Sequence, residues 1–262
     1  MLVTTHTAND YVWVVELKPD SSGQVLIDGN GTQTLLECLR QAEESESCRV
    51  LVVKAPHGCQ GMDMAFALEA KGGLEKELQS FADLLKAICG SKLAVVAAVD
   101  GNISGGGVGL FAAADKVIAT EKTTFSLPEL VLGILPAMIL PVLLRRMPQQ
   151  KANNMAISPA FKAAEAQALG LVEYIVADNE KAERKLKGTL KHLLRLKPSA
   201  LAQLKAYTER LGRFELDEAI DLGVDRTGSL LADPQNAEPI RAFLAGEPLP
   251  WFAKYRHEEP VQ

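Results

Sequence analysis

Residues 93–115 constrain the fold more than any other stretch. They read Leu-Ala-Val-Val-Ala-Ala-Val-Asp-Gly-Asn-Ile-Ser-Gly-Gly-Gly-Val-Gly-Leu-Phe-Ala-Ala-Ala-Asp. Residues 93–99 are an unbroken apolar run of strand length, the pattern of a fully buried strand. Asp100-Gly101 ends the run as a turn. Gly105, Gly106 and Gly107 follow, and then a small-residue segment that reads as a tightly packed helix. Glycines bunched before a helix admit a close approach and leave helix-start N–H groups free to donate. Such donors suit an anion, either a phosphate or an oxyanion that exists only during a reaction.

The flanking pattern sets the fold class. Strand signals at residues 11–17, 49–54, 93–99, 116–120 and 171–176 alternate with helical spacing at 32–44 and 74–88, Thr32 standing where a cap would start the first helix. Short helices are expected at 137–147, 151–157 and 163–169, with Gly170 closing the last. This alternation predicts an α/β fold with a mainly parallel sheet. Residues 64–68 read as a helical turn and 71–73 as a mobile link. Beyond residue 176 no strand signal returns; helices are expected at 181–196, 199–211 and 216–231. The division predicted is a core over 1–195 and a helical region over 196–262. Leu216, Ile220, Leu222 and Leu230 are more apolar positions than one small layer hides, which predicts a contact between subunits.

Composition excludes several functions. A net charge of −5 argues against nucleic-acid and anionic-membrane surfaces. No apolar run approaches the ~18 residues of a membrane span, and the start lacks the basic and apolar pattern of a secretory signal. Cys38, Cys48, Cys59 and Cys89 show no C-x-x-C spacing and read as reduced thiols of a cytoplasmic protein. His6, His57, His192 and His257 include no i, i+4 pair, so no metal site is expected. His57 lies in a loop of turn-forming residues, exposed or in reach of a ligand. Gly107-Val-Gly-Leu-Phe-Ala112 fits a dinucleotide fingerprint letter by letter, but several residues separate it from the strand that its first glycine should follow directly.

Glu129 is the one carboxylate that stands out. It follows Phe125-Ser-Leu-Pro128 and precedes Leu130-Val-Leu132. In such apolar surroundings a carboxyl gains a raised pKa and can exchange protons near neutral pH. A glutamate after proline also suits a helix start, where the dipole favours it. Chemistry alone leaves both readings open.

Four ordered pieces resemble the crotonase, or enoyl-CoA hydratase, superfamily. They are Gln60-Gly-Met-Asp63, Val99-Asp-Gly with Gly105-Gly-Gly107, Phe125-Ser-Leu-Pro-Glu129 with Gly133 and Pro136, and Ala164 and Ala166 with Gly170-Leu-Val172. The resemblance covers about residues 11–176. It implies a spiral of repeated ββα units with a C-terminal helical trimerisation region, hence a homotrimer or a dimer of trimers. It also implies an acyl thioester substrate whose carbonyl oxygen meets the backbone N–H groups of Met62 and Gly106, with Glu129 exchanging the α-proton. Gly105, Gly109 and His57 would line the substrate. Asp63 is more often a local cap than a catalyst in this family. Hydratases of the family carry a further glutamate two residues after the triple glycine, where this chain has Gly109.

Glycine there, together with residues 125–137 and Pro141-Val-Leu-Leu-Arg-Arg146, resembles one branch, the dehydratases of polyketide β-branching cassettes. That branch implies loss of water from a 3-hydroxy-3-methylglutaryl group on an acyl carrier protein, giving the 3-methylglutaconyl group. The thioester would be carried on the phosphopantetheine of the carrier protein or on CoA, with no other cofactor. His57, Lys71 and Arg145 are the candidate cations for the distal carboxylate. Gly58, often Phe in the family, and Met62, more often Ala, suggest a reshaped pocket. The alternatives are a CoA-thioester hydratase or isomerase of general metabolism, the partner decarboxylase of the same cassette, and a non-catalytic trimeric scaffold.

Overall fold

A computed structural model describes residues 2–21, 23–61, 74–132, 135–211, 235 and 247. Its contacts divide the chain into two units, Met1–Leu190 and Lys191–Gln262. The expected helical turn at 64–68, the link at 71–73 and the helix at 216–231 lie outside the described residues, as do Met62, Asp63, Lys71 and the four apolar tail positions.

The first unit is built on a six-stranded sheet. Its order is β1 (Leu2–Asn9), β2 (Val12–Lys18), β3 (Val50–Ala55), β4 (Ala94–Val99), β6 (Lys116–Thr120) and β9 (Tyr174–Val176). All neighbours run parallel except β1, which folds back antiparallel on β2. The apolar runs of β3 and β4 are buried on both faces, as a sheet covered on both sides requires. Alternate residues Leu51, Val53, Val95, Ala97, Val117 and Ala119 share one core with helix side chains such as Leu35, Leu39, Leu84 and Ile88. Those four belong to α1 (Gly29–Glu44) and α2 (Leu74–Gly90).

A second, smaller sheet lies along the first. β5 (Asn102–Ser104) pairs parallel with β7 (Thr124–Ser126), which pairs antiparallel with β8 (Phe161–Lys162). Cys59 makes a parallel bridge to Ile103 and stands as a one-residue strand beside β5. The chain therefore repeats one path. β3 leads to Cys59, β4 to β5 and then α3 (Gly106–Ala112), and β6 to β7 and then a 3-10 turn, Pro128–Leu132. This repeat is the spiral of ββα units that the resemblance implies. Three strands are not legible in the sequence, β5, β1 and β8. The first hides in the Asn-Ile-Ser between two glycine turns, the second lacks the apolar alternation that marks a half-buried strand, and the third is only two residues long.

Local chemistry fixes several boundaries. α1 starts three residues before Thr32: Asp28 is its cap, accepting from Gly31 N at 2.6 Å, and Thr32 is buried within the helix. Of residues 137–147, only α4 (Leu140–Leu144) is helical, with Pro141 in its first turn. α5 (Gln149–Ile157) and α6 (Ala163–Leu169) follow, and Gly170 ends α6 in the left-handed region at φ 97. α7 (Asn179–Leu193) carries the boundary between the two units, and α8 (Pro198–Leu211) belongs to the second.

Two polar clusters lock the turns of the spiral. Asp100 is buried at the end of β4 and accepts from Thr120 Oγ1, from Asn179 Nδ2 at 2.9 Å and from Lys122 Nζ at 3.0 Å. Burial alone would raise its pKa; the hydrogen bonds from Thr120, Lys122 and Asn179, with the Lys122 charge, outweigh that and hold it below the ordinary aspartate value. Arg146 donates to Ala114 O at 2.6 Å, Ala112 O at 3.2 Å and Gly170 O at 3.3 Å, and pairs with Glu173. It thereby caps the C-terminal carbonyls of α3. The four cysteines are free thiols. Burial pushes the Cys38 and Cys59 thiols up to about 11.

Candidate active site

The spiral brings two loops together where β5 passes Cys59. Cys59 N donates to Asn102 O and Ser104 N donates to Cys59 O, both at 2.9 Å. Ser104 Oγ donates to Gln60 O at 3.1 Å. From the other side Gln60 N donates to Val25 O at 2.9 Å, and Gly61 O accepts from Ile27 N at 2.6 Å. Residues 59–61 are thus held between β5 on one side and the segment from Val25 to Ile27 on the other. Gly61 has φ +85, and a Cβ there would stand 2.8 Å from Gly106 N and 2.9 Å from Ser104 O. Only glycine lets the two loops approach this closely.

Gly105 is the hinge on the other side. Its own N–H is committed to Ser126 O at 2.9 Å, and Val108 N closes the first turn of α3 on Gly105 O at 2.9 Å. Gly106 N, the first N–H inside α3, lies beside Gly61. Met62, the expected second donor, lies outside the described residues, so the juxtaposition rests on its neighbour Gly61.

Glu129 reaches this point from the 3-10 turn after β7. A Cβ at Gly105 would stand 3.1 Å from Glu129 Oε1. Glu129 Oε2 is buried with no hydrogen-bond partner. Burial raises the Glu129 pKa above the ordinary glutamate value, opposed by its own backbone N–H. A buried carboxyl oxygen without a partner costs stability, and a raised carboxyl pKa is the shift that proton exchange near neutral pH requires. Both features the sequence suggests are present: Glu129 stands in the first turn of the 3-10 helix Pro128–Leu132, and it is partly desolvated.

The remaining expected site residues fall as follows. Gly109 is buried one turn into α3, and a Cβ there would meet Ile139 Cγ1 at 3.2 Å. His57 is exposed at the start of the loop after β3. Arg145 is exposed at the end of α4. Gly58 is explained by the backbone: it has φ +80, and a Cβ would collide with the Asn102 carbonyl oxygen. Its smallness serves the turn before it serves any pocket. Ser104 and Ile139 were missed in the sequence. Ser104 looks like any turn residue, and Ile139 meets the site only through a contact between residues thirty apart in the chain.

Residues 27–252 match the family model described as enoyl-CoA hydratase/isomerase. The chain belongs to the enoyl-CoA hydratase/isomerase family. Over 224 residues it is 28% identical to the bacillaene synthase dehydratase PksH of Bacillus subtilis, covering 82% of this chain and 84% of that one. It is 34% identical over 149 residues to the mevalonyl-coenzyme A hydratase SIDH of Beauveria bassiana, covering 52% of this chain and 53% of that one. Among solved structures, Pseudomonas aeruginosa AtuE superposes with a TM-score of 0.85 at 27% identity, covering 95% of this chain and 98% of that one. This family member is an enzyme, a lyase of the hydro-lyase type, with the crotonase fold. Among the described residues, no helix is long and apolar enough to cross a membrane.

Proposed function

We propose that this enzyme dehydrates a 3-hydroxy-3-methylglutaryl thioester on an acyl carrier protein to the 3-methylglutaconyl thioester, a step of polyketide β-branching. The observation that carries the reading is the half-buried Glu129, its Oε2 enclosed without a hydrogen-bond partner and its Oε1 against the glycine hinge beside Gly106 N. Similarity to a synthase dehydratase over most of both chains supports the reaction type and the carrier.

In the proposed mechanism the thioester oxygen lies against the N–H groups of Met62 and Gly106. These stabilise the enolate and so acidify the α-carbon. Glu129 takes the α-proton; the C–H electron pair becomes the new double bond as the C3–O bond breaks. The departing hydroxide takes the same proton back from Glu129 and leaves as water. The carboxylate is restored, and one proton carrier suffices for a syn elimination. Position 109, occupied by a second glutamate in hydratases, is glycine here and faces an aliphatic side chain. The chemistry needs no metal and no redox cofactor, only the phosphopantetheine arm that carries the acyl group. The working assembly is a homotrimer or a dimer of trimers in the cytoplasm.

Mass spectrometry of a 3-hydroxy-3-methylglutaryl carrier protein incubated with the enzyme tests the reading. Loss of one water without loss of carbon dioxide is expected. Loss of carbon dioxide assigns the enzyme to decarboxylation instead. The CoA ester is the control: the carrier-bound substrate should lead in kcat/KM by at least about tenfold, with the lead shrinking as salt rises. Equal use of both at every salt concentration indicates a CoA-dependent metabolic enzyme.

A further inference from the structure

Gly105 caps the start of α3 and Gly109 lies four residues on, inside the helix, and neither carries a side chain. At Gly105 the space a side chain would take is bounded by Glu129 Oε1 at 3.1 Å. At Gly109 it is bounded by Ile139 Cγ1 at 3.2 Å, with Ile139 Cβ and Cγ2 at 3.6 Å. The two glycines thus meet different groups, a carboxylate at the cap of α3 and a branched aliphatic group four residues on. Ile139 is held at both ends. Its N–H donates to Pro136 O at 3.0 Å, and its carbonyl accepts from Val142 N and Leu143 N, both at 3.0 Å. It is 4% exposed, and branching at Cβ restricts its χ1. This is a fixed apolar wall.

The dehydration sets the α-carbon beside Glu129, so the carbon that loses its hydroxyl lies next along. We infer that Ile139 is the specificity-determining residue for that carbon. Its side chain, reached across the bare face at Gly109, gives a methyl branch an apolar contact and denies the same space to a water molecule or a second acidic group. A carboxylate at position 109 would have to displace Ile139, so the pair holds the site to one proton carrier. The inference rests on the dehydratase reading above.

The test compares parent, Ile139→Val and Ile139→Ala on two carrier-bound 3-hydroxyacyl thioesters that differ only by the methyl group at C3. Thermal unfolding monitors the fold of each variant. The parent should prefer the branched substrate by at least about tenfold in kcat/KM, the usual worth of one methyl contact. In Ile139→Ala the preference should fall to within about threefold of parity. Should Ile139→Ala not fold, Ile139→Val decides, with an expected fall of at least about twofold. An unchanged preference in folded variants overturns the inference and leaves the dehydratase reading standing. A parent enzyme that dehydrates neither ester overturns that reading, and the inference with it.

Discussion

Glu129 Oε1 lies against Gly105, 3.1 Å from where a Cβ would stand, and that glycine is the hinge that turns the chain into α3. The carboxylate and the Gly106 N–H are therefore positioned by the same residue. Gly105 has φ 51 and ψ −125, a conformation that L side chains rarely adopt. Gly105→Ala should strain the hinge by about 1–3 kcal/mol and push Glu129 aside. Thermal unfolding should show the loss of stability, and kcat should drop by about 10². Parent-like turnover would detach the carboxylate from the hinge.

The raised Glu129 pKa has two consequences of opposite kind. As a base Glu129 works ionised, so kcat/KM should rise with pH through a pKa above the ordinary value of about 4.3. For stability the protonated form is favoured in the fold. That contribution is fully present below the unfolded value and is lost as pH rises through the folded one. Glu129→Gln removes the loss. Its Tm should match or exceed the parent's at pH 8, and the advantage should vanish in acid. An acid limb at the ordinary glutamate value would show an exposed carboxylate instead.

Asp100 behaves in the reverse sense. Its pKa is held down in the fold, so its contribution is present above the unfolded value of about 3.9 and is lost as pH falls through the folded one. Asp100→Asn turns an amide donor toward Asn179 or Lys122, which are themselves donors. It should cost about 1–3 kcal/mol by denaturant titration near neutral pH. The variant should also lose part of the parent's destabilisation below about pH 4. A variant as stable as the parent would mean the cluster is solvated in solution.

Arg146→Met should keep the stem and remove the cap on α3. The Glu173 carboxylate would keep its bond from Val117 N at 2.5 Å but lose its cation. A loss of about 3 kcal/mol is expected, as for a pair broken on one side in a largely buried setting. Unfolding in urea measures it. Arg146→Lys should restore only part, since a lysine lacks the planar fork that reaches several carbonyls at once.

The sequence and the structure agree where the signal is local and repeated. The apolar runs of β3 and β4 read as buried strands because both faces of those strands are covered. Glu129 stood out because a carboxylate among apolar residues is rare enough to carry information. The glycines at 105–107 announced a close approach, and the structure supplies what approaches: residues 59–61 on one side and Glu129 on the other. What stayed hidden depends on contacts across the spiral. The Asp100 cluster joins residues from β4, the turn after β6 and the start of α7. The contact between Gly109 and Ile139 joins α3 to the residue before α4. Neither leaves a periodic trace. Thr32 was read as a cap because threonine suits that position, whereas Asp28 takes it three residues before the first turn closes.

The most direct test of the central claim is the single-turnover rate of Glu129→Gln on the 3-hydroxy-3-methylglutaryl carrier protein. Glutamine keeps the size of the side chain but takes no proton at the α-carbon. The rate of water loss should fall by about 10²–10⁴, while the folded state is retained at the parent's Tm or above. A rate within a few-fold of the parent would contradict the assignment of Glu129 as the proton carrier.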